Sequence, residues 1–133
     1  MANMPRVLVV EDEQLLQRTL CATLTLLGFT PYHAATVDEA LEVLRTQQID
    51  AITLDIVLPD PQGRKRSGMS LLALLRSKAE YETIPVLIFT GMPLSDEESD
   101  LAKRCNAEVF LKPQPYTLLA DHINRALGIV PAA

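Results

Sequence analysis

The chain has 133 residues, 48% of them apolar, and a formal net charge of −5. That length suits one domain with its own core, spanning residues 1–133, and the apolar fraction excludes a disordered chain. The acidic balance argues against direct nucleic-acid binding, which needs a basic footprint. No apolar run approaches the roughly 18–20 residues of a membrane span, and the first six residues lack the apolar stretch of a signal peptide, so the cytoplasm is the expected location.

Residues 6–10, Arg-Val-Leu-Val-Val, are a short apolar run that suits a strand buried on both faces. Glu11, Asp12 and Glu13 follow, and then a helix pattern with Leu16, Leu20, Leu24 and Leu27 on one stripe, stopped by Gly28. Residues 30–34 read as a weaker second strand. Thr36-Val-Asp-Glu39 is a capping-box sequence opening a helix with Val37, Ala40, Leu41 and Leu44 inward. Residues 50–54 read as the third strand, with Asp55 just past its end. A long polar loop with Pro59, Pro61, Gly63 and Gly68 comes next, and helix resumes from Met69 to about Lys78. Residues 85–89 are a fourth apolar strand running into Thr90-Gly91. Ser95 to Glu98 is another capping box, opening a helix to about Arg104. Residues 107–111 make a fifth strand ending at Lys112-Pro113, and a last helix runs from about Pro115 to Leu127 before Gly128.

Strand followed by helix, five times, predicts a parallel sheet with helices on both faces. Ligands of such sheets bind outside the carboxyl ends of the strands. There the pattern places Glu11 and Asp12 after strand one, Asp55 after strand three, Thr90 after strand four and Lys112 after strand five. Clustered carboxylates repel, and a hard divalent cation such as Mg²⁺ relieves this, typically through one or two carboxylates and several waters. Phosphoryl transfer needs such a set: charge to offset the equatorial oxygens, and a positioned nucleophile. Asp55 can be that nucleophile, Lys112 can pair with the phosphoryl group, and the Thr90 hydroxyl can donate to it. Each element alone has an ordinary alternative. Acidic residues complement a helix dipole, a single Asp caps a turn, Thr-Gly forms a turn and Lys-Pro forms a solvated loop. Cys21 and Cys105 sit in no metal-binding spacing, and sequence alone leaves a disulfide between them open.

The segments Val-Leu-Val-Val-Glu11-Asp12-Glu, Leu-Asp55-Ile-Val-Leu-Pro59-Asp, Phe-Thr90-Gly91 and Leu-Lys112-Pro113 resemble the receiver domain of bacterial two-component response regulators, from residue 6 to about 128. The resemblance implies a flavodoxin-like (βα)5 three-layer sandwich, with a parallel five-stranded sheet of order 2-1-3-4-5. It implies that Asp55 is phosphorylated, in a Mg²⁺-dependent step, by a sensor histidine kinase or a histidine phosphotransfer protein. It implies that Glu11, Asp12, Asp55 and the backbone carbonyl of Val57 hold the metal, with Asp12 a direct ligand. Thr90 then resembles the switch hydroxyl and Lys112 the phosphate-pairing lysine, and the bond before Pro113 is often cis in this family. No output domain appears in the sequence, and a stand-alone regulator and a fragment of a longer protein both stay open. The signal, the kinase and the downstream protein target are not named by it.

Three departures stand out. Val109 occupies the position three before the lysine where the family often has an aromatic switch residue, and the neighbouring Phe110 points to the other face of its strand. The loop after Asp55 is about five residues longer than usual, through Gln62-Gly63-Arg64-Lys65-Arg66, which reads as a solvated loop or as a basic contact for an acidic partner surface. Val57 and Met92 are apolar where they flank the site, which predicts a long-lived phosphoryl state. Two rival classes fit less well. A phosphatase with an Asp-x-Asp pair would need an acid at Val57, and a nucleotide or flavin binder would need a glycine-rich loop where Glu11-Asp12-Glu13 stands. A binding module that keeps the fold without being phosphorylated is the third alternative.

Overall fold

A computed structural model describes residues 4–59 and 67–129. The stretch Gln62 to Arg66 lies outside the described residues. Five strands alternate with five helices: β1 (Arg6–Val10), α1 (Gln14–Leu26), β2 (Thr30–Ala34), α2 (Val37–Thr46), β3 (Ala51–Leu54), α3 (Ser67–Arg76), β4 (Val86–Thr90), α4 (Asp96–Arg104), β5 (Glu108–Leu111) and α5 (Tyr116–Ala126). The strands form one sheet of order β2-β1-β3-β4-β5, parallel throughout.

The two-residue period of a strand divides the apolar residues between two cores. Val7 and Val9 of β1, Ala51 of β3, and Leu87 and Phe89 of β4 pack with Leu20 and Leu24 of α1 and Leu119 and Ile123 of α5. Leu8, Val10, Ile52, Leu54, Val86 and Ile88 point the other way, toward Ala40 and Leu44 of α2, Leu71, Leu72 and Leu75 of α3 and Ala102 of α4. The central strands are therefore apolar on both faces, as buried parallel strands are. Cys21 packs against the first core and Cys105 belongs to the second, so the sheet separates them and both thiols are free.

Element boundaries differ from the sequence reading in instructive places. β4 ends on Thr90 rather than Phe89, because Thr90 still pairs with Leu111 in the ladder. β3 begins at Ala51; Asp50 instead closes the entry to β1, its carboxylate accepting from the Arg6 N–H at 2.8 Å. α3 begins at Ser67, whose hydroxyl donates to the Leu58 carbonyl at 3.1 Å. α5 starts at Tyr116, with Pro115 as its cap. The box at Ser95 and Glu98 has both its hydrogen bonds. At α2 Thr36 caps the Glu39 N–H, but the Glu39 carboxylate reaches one residue further back, to the Ala35 N–H. Asn106 does for α4 what Gly28 does for α1, taking φ of 59° just past the helix end.

Candidate functional site

Backbone hydrogen bonds carry the ladder one residue past the strand ends. The Glu11 N–H donates to the Ala34 carbonyl at 2.9 Å, the Asp55 N–H to the Val10 carbonyl at 3.0 Å, and the Lys112 N–H to the Thr90 carbonyl at 2.8 Å. Glu11, Asp55 and Lys112 are thus fixed in register along one edge of the sheet. The Lys112–Pro113 peptide is cis, as the resemblance implies.

The side chains converge there. The Lys112 ammonium bridges Glu11 Oε1 at 2.6 Å and Asp55 Oδ2 at 2.9 Å. The second Glu11 oxygen accepts the Glu13 N–H at 3.1 Å, and Asp55 Oδ1 accepts the Val57 N–H at 3.0 Å. Glu11 and Asp55 are buried, whereas Asp12 is exposed at the rim. Oxygens of Glu11, Asp12 and Asp55 all lie within 4.8 Å of one another. Glu11 thus serves the pocket, and α1 has no acidic residue in its first turn. Thr90 ends β4 next to Lys112, whose N–H its carbonyl accepts; its side chain is fully buried, with the hydroxyl accepting the Met92 N–H at 3.4 Å.

Burial acts on the two sides of the ion pair in opposite senses. It raises Glu11 from 4.5 to about 7; the Lys112 and Glu13 hydrogen bonds pull the other way, and the Asp55 charge adds to the rise. Burial works to lower Lys112, but the hydrogen bonds to Glu11 and Asp55 more than offset it, leaving its pKa raised. The resting pocket is an ammonium shared by two carboxylates, one of which gives up its proton reluctantly.

Three residues were not singled out from sequence: Gly68 and Phe89 at this site, and Arg76 away from it. Gly68 lets the start of α3 meet the backbone of Asp55, since a Cβ built there would lie 2.3 Å from the Asp55 carbonyl oxygen. From sequence it reads as one more glycine of the polar loop, whereas the structure places it in the first turn of α3. Phe89 places its ring under Lys112, with the ammonium 5.6 Å from the centroid. Arg76 ties the far end of α3 to two loops, donating to the carbonyls of Cys105, Tyr81 and Ile84. At the departures, Phe110 turns to α5 and meets the His122 ring at 4.6 Å between centroids, the planes tilted by 57°, while Val109, Val57 and Met92 are exposed.

An open parallel sheet with three carboxylates and a lysine gathered at its carboxyl edge defines a flavodoxin-like signalling domain with an acidic pocket. The chain belongs to the response regulator receiver domain family, which matches residues 7–124. It is 30% identical over 129 residues to the response regulator protein FleR of Pseudomonas aeruginosa, covering 96% of this chain and 26% of that protein. It is 36% identical over 86 residues to the phosphate regulon transcriptional regulatory protein PhoB of Klebsiella pneumoniae, covering 65% of this chain and 35% of that protein. The chain therefore spans about a quarter to a third of these relatives' lengths. Among solved structures it resembles the chemotaxis protein CheY4 of Vibrio cholerae, with a TM-score of 0.80 and 26% identity over 93% of this chain and 99% of that one. It also resembles the receiver domain of a signal transduction histidine kinase from Syntrophus aciditrophicus, with a TM-score of 0.79 and 25% identity over 97% and 95% of the two chains. Receiver domains are regulatory phosphoacceptors of two-component signalling, phosphorylated on an aspartate by a kinase. Among the described residues no helix is long and apolar enough to cross a membrane.

Proposed function

We propose that Asp55 is the phosphoacceptor of this receiver domain, taking the group from a histidine kinase or a histidine phosphotransfer protein. The observation that carries the reading is the Lys112 ammonium held between Asp55 and Glu11 at the carboxyl edge of the sheet. That contact leaves the nucleophile buried, oriented and paired with the cation that can follow the incoming charge.

The carboxylate set fits a hard cation, having oxygens from three side chains within 4.8 Å on a rim open at Asp12. Glu11, Asp12, Asp55 and the Val57 carbonyl would hold Mg²⁺, with Asp12 a direct ligand. When bound, the ion supplies positive charge against the equatorial phosphoryl oxygens. The chain's own residues do the rest. The Val57 N–H holds Asp55 Oδ1, which leaves the carboxylate's other oxygen, now on Lys112, to attack. That oxygen forms the new O–P bond as the donor's P–N bond breaks, and the electron pair returns to the imidazole. Lys112 then exchanges carboxylate oxygens for phosphoryl oxygens. Thr90 turns its hydroxyl from the Met92 N–H toward the new acceptors, and a shift in β4, α4 and β5 presents a changed surface to a downstream protein. The domain acts as a regulator rather than a turnover enzyme, since Val57 stands where a phosphatase would carry its second acid.

The test is incubation of the full chain with Mg²⁺ and a small acyl-phosphate donor, followed by intact mass. One phosphoryl group on the wild type and none on Asp55→Asn is the expected result. An unmodified wild type, under conditions where other receivers react, would falsify the reading.

A further inference from the structure

The Phe89 ring is the last side chain of β4 to face the α1 and α5 core, and it is almost wholly buried. Its face lies against the Lys112 ammonium at 5.6 Å, and the Tyr116 ring meets it edge to face, with centroids 6.1 Å apart. A buried ring held in that way presents its negative face in a fixed direction. The other groups that hold the ammonium are the Glu11 and Asp55 carboxylates, at 2.6 and 2.9 Å, and Asp55 is the one whose oxygens are exchanged. Gly91 offers Lys112 no side chain, and a Cβ built there would lie 4.0 Å from Lys112 Cδ. On the same flank Lys112 and Phe89 border a cavity of about 280 Å³, also lined by Leu16, Pro113 and Tyr116. The ammonium has room to swing into that cavity if nothing holds it back.

We infer that Phe89 is a positioning residue for phosphotransfer: its ring face keeps the Lys112 ammonium at the Asp55 carboxylate while the lysine exchanges its oxygen partners. The inference rests on the proposed role of Asp55 and Lys112. A cation over an aromatic face keeps its attraction when carboxylate oxygens are replaced by phosphoryl oxygens, because the ring does not take part in the exchange. The Phe89–Tyr116 pair thereby joins the pocket to the first residue of α5.

The experiment uses the full chain with Phe89→Leu, and with pentafluorophenylalanine at position 89, which keeps the ring's shape but removes its negative face. Two quantities are read: the NMR shifts of the Lys112 ε-methylene protons, assigned with Lys112→Met, and the initial rate of phosphorylation by a small acyl phosphate. In the wild type the methylene protons are shifted upfield of those of the other lysines by the ring. In both variants they move toward the other lysines, and the rate falls by about three- to thirtyfold. Unchanged methylene shifts and an unchanged rate in the fluorinated protein overturn the inference, even if Phe89→Leu is slower or less stable. If the wild type itself takes no phosphoryl group, the reading of Asp55 fails separately, and the methylene shifts alone decide whether Phe89 positions Lys112.

Discussion

Gly68 stands against Asp55 so closely that a methyl group on it would lie 2.3 Å from the Asp55 carbonyl oxygen and 2.6 Å from the Ile56 Cα. Both atoms are backbone, and the Gly68 N–H donates to the Ile56 carbonyl at 3.0 Å, so neither side can rotate out of the way. The start of α3 and the segment carrying Asp55 are one packed unit. Gly68→Ala should therefore push α3 off this segment. The expected cost is about 1–3 kcal/mol, the usual range for overpacking. Urea denaturation measures it, and phosphorylation of Asp55 should slow at the same time.

Much of this arrangement could be read in advance, and what could not has a common physical cause. Strands β1, β3 and β4 announced themselves because both their faces are buried, so their apolar runs are continuous. Glu11, Asp55 and Lys112 were legible because each follows such a run, and the register of a parallel sheet then brings them together. The contribution of Gly68 lies in what it lacks, and only the facing backbone shows why. Arg76 bonds to carbonyls, which are present at every residue and leave no mark in the sequence. Phe89 was legible as a core residue, but its position under Lys112 depends on the path of the loop after β5.

Glu11 makes the stability of the metal-free protein depend on pH. Its folded pKa of about 7 lies above the ordinary 4.5, so the folded state binds this proton more tightly than the unfolded state does. Stability from this group is then greatest below about 4.5 and declines as pH rises to about 7, by at most about 3 kcal/mol. Glu11→Gln should flatten the decline and raise the metal-free denaturation midpoint at pH 8. Thermal unfolding in chelator across this range checks it, and added Mg²⁺ should restore wild-type stability at high pH but help the variant less.

Removing the lysine has the opposite consequence. Lys112→Met leaves Glu11 and Asp55 buried side by side with no cation between them, and breaking a buried pair from one side costs about 3–5 kcal/mol. That cost should be large in chelator at pH 8 and small at pH 5, where Glu11 holds its proton. Because Lys112 no longer competes for the same oxygens, Mg²⁺ should bind more tightly than to the wild type, as calorimetry would report. Phosphorylation should nonetheless be slow, since the cation that follows the phosphoryl group is gone.

Arg76 predicts a stability effect far from the chemistry. Its guanidinium donates at 2.7 Å to Cys105, at 2.8 Å to Ile84 and at 3.2 Å to Tyr81, and burial lowers its pKa. Three carbonyls in two loops require a planar fork, which an ammonium cannot supply. Arg76→Lys should therefore lose roughly 2 kcal/mol despite keeping the charge. Chemical denaturation measures the loss, and hydrogen exchange should show the turn before β4 and the end of α4 opening together.

The lifetime of the phosphoryl group should follow the two apolar side chains at the mouth of the pocket. Val57 is 40% exposed and Met92 52% exposed, so both face the solvent through which a hydrolytic water must come. Each sits on a backbone fixed to the site, Val57 by its N–H to Asp55 and Met92 by its N–H to Thr90. The valine side chain accepts no hydrogen bond and the methionine sulfur accepts only weakly, so an attacking water is poorly oriented there. A polar amide at either place can hold it. Val57→Asn and Met92→Asn should each shorten the half-life of phospho-Asp55 by roughly tenfold or less, below the full effect of a positioned general base. Decay of the phosphorylated mass after the donor is removed gives the answer. A wild-type protein that loses its phosphoryl group as fast as both variants would show that access at Val57 and Met92 does not limit hydrolysis.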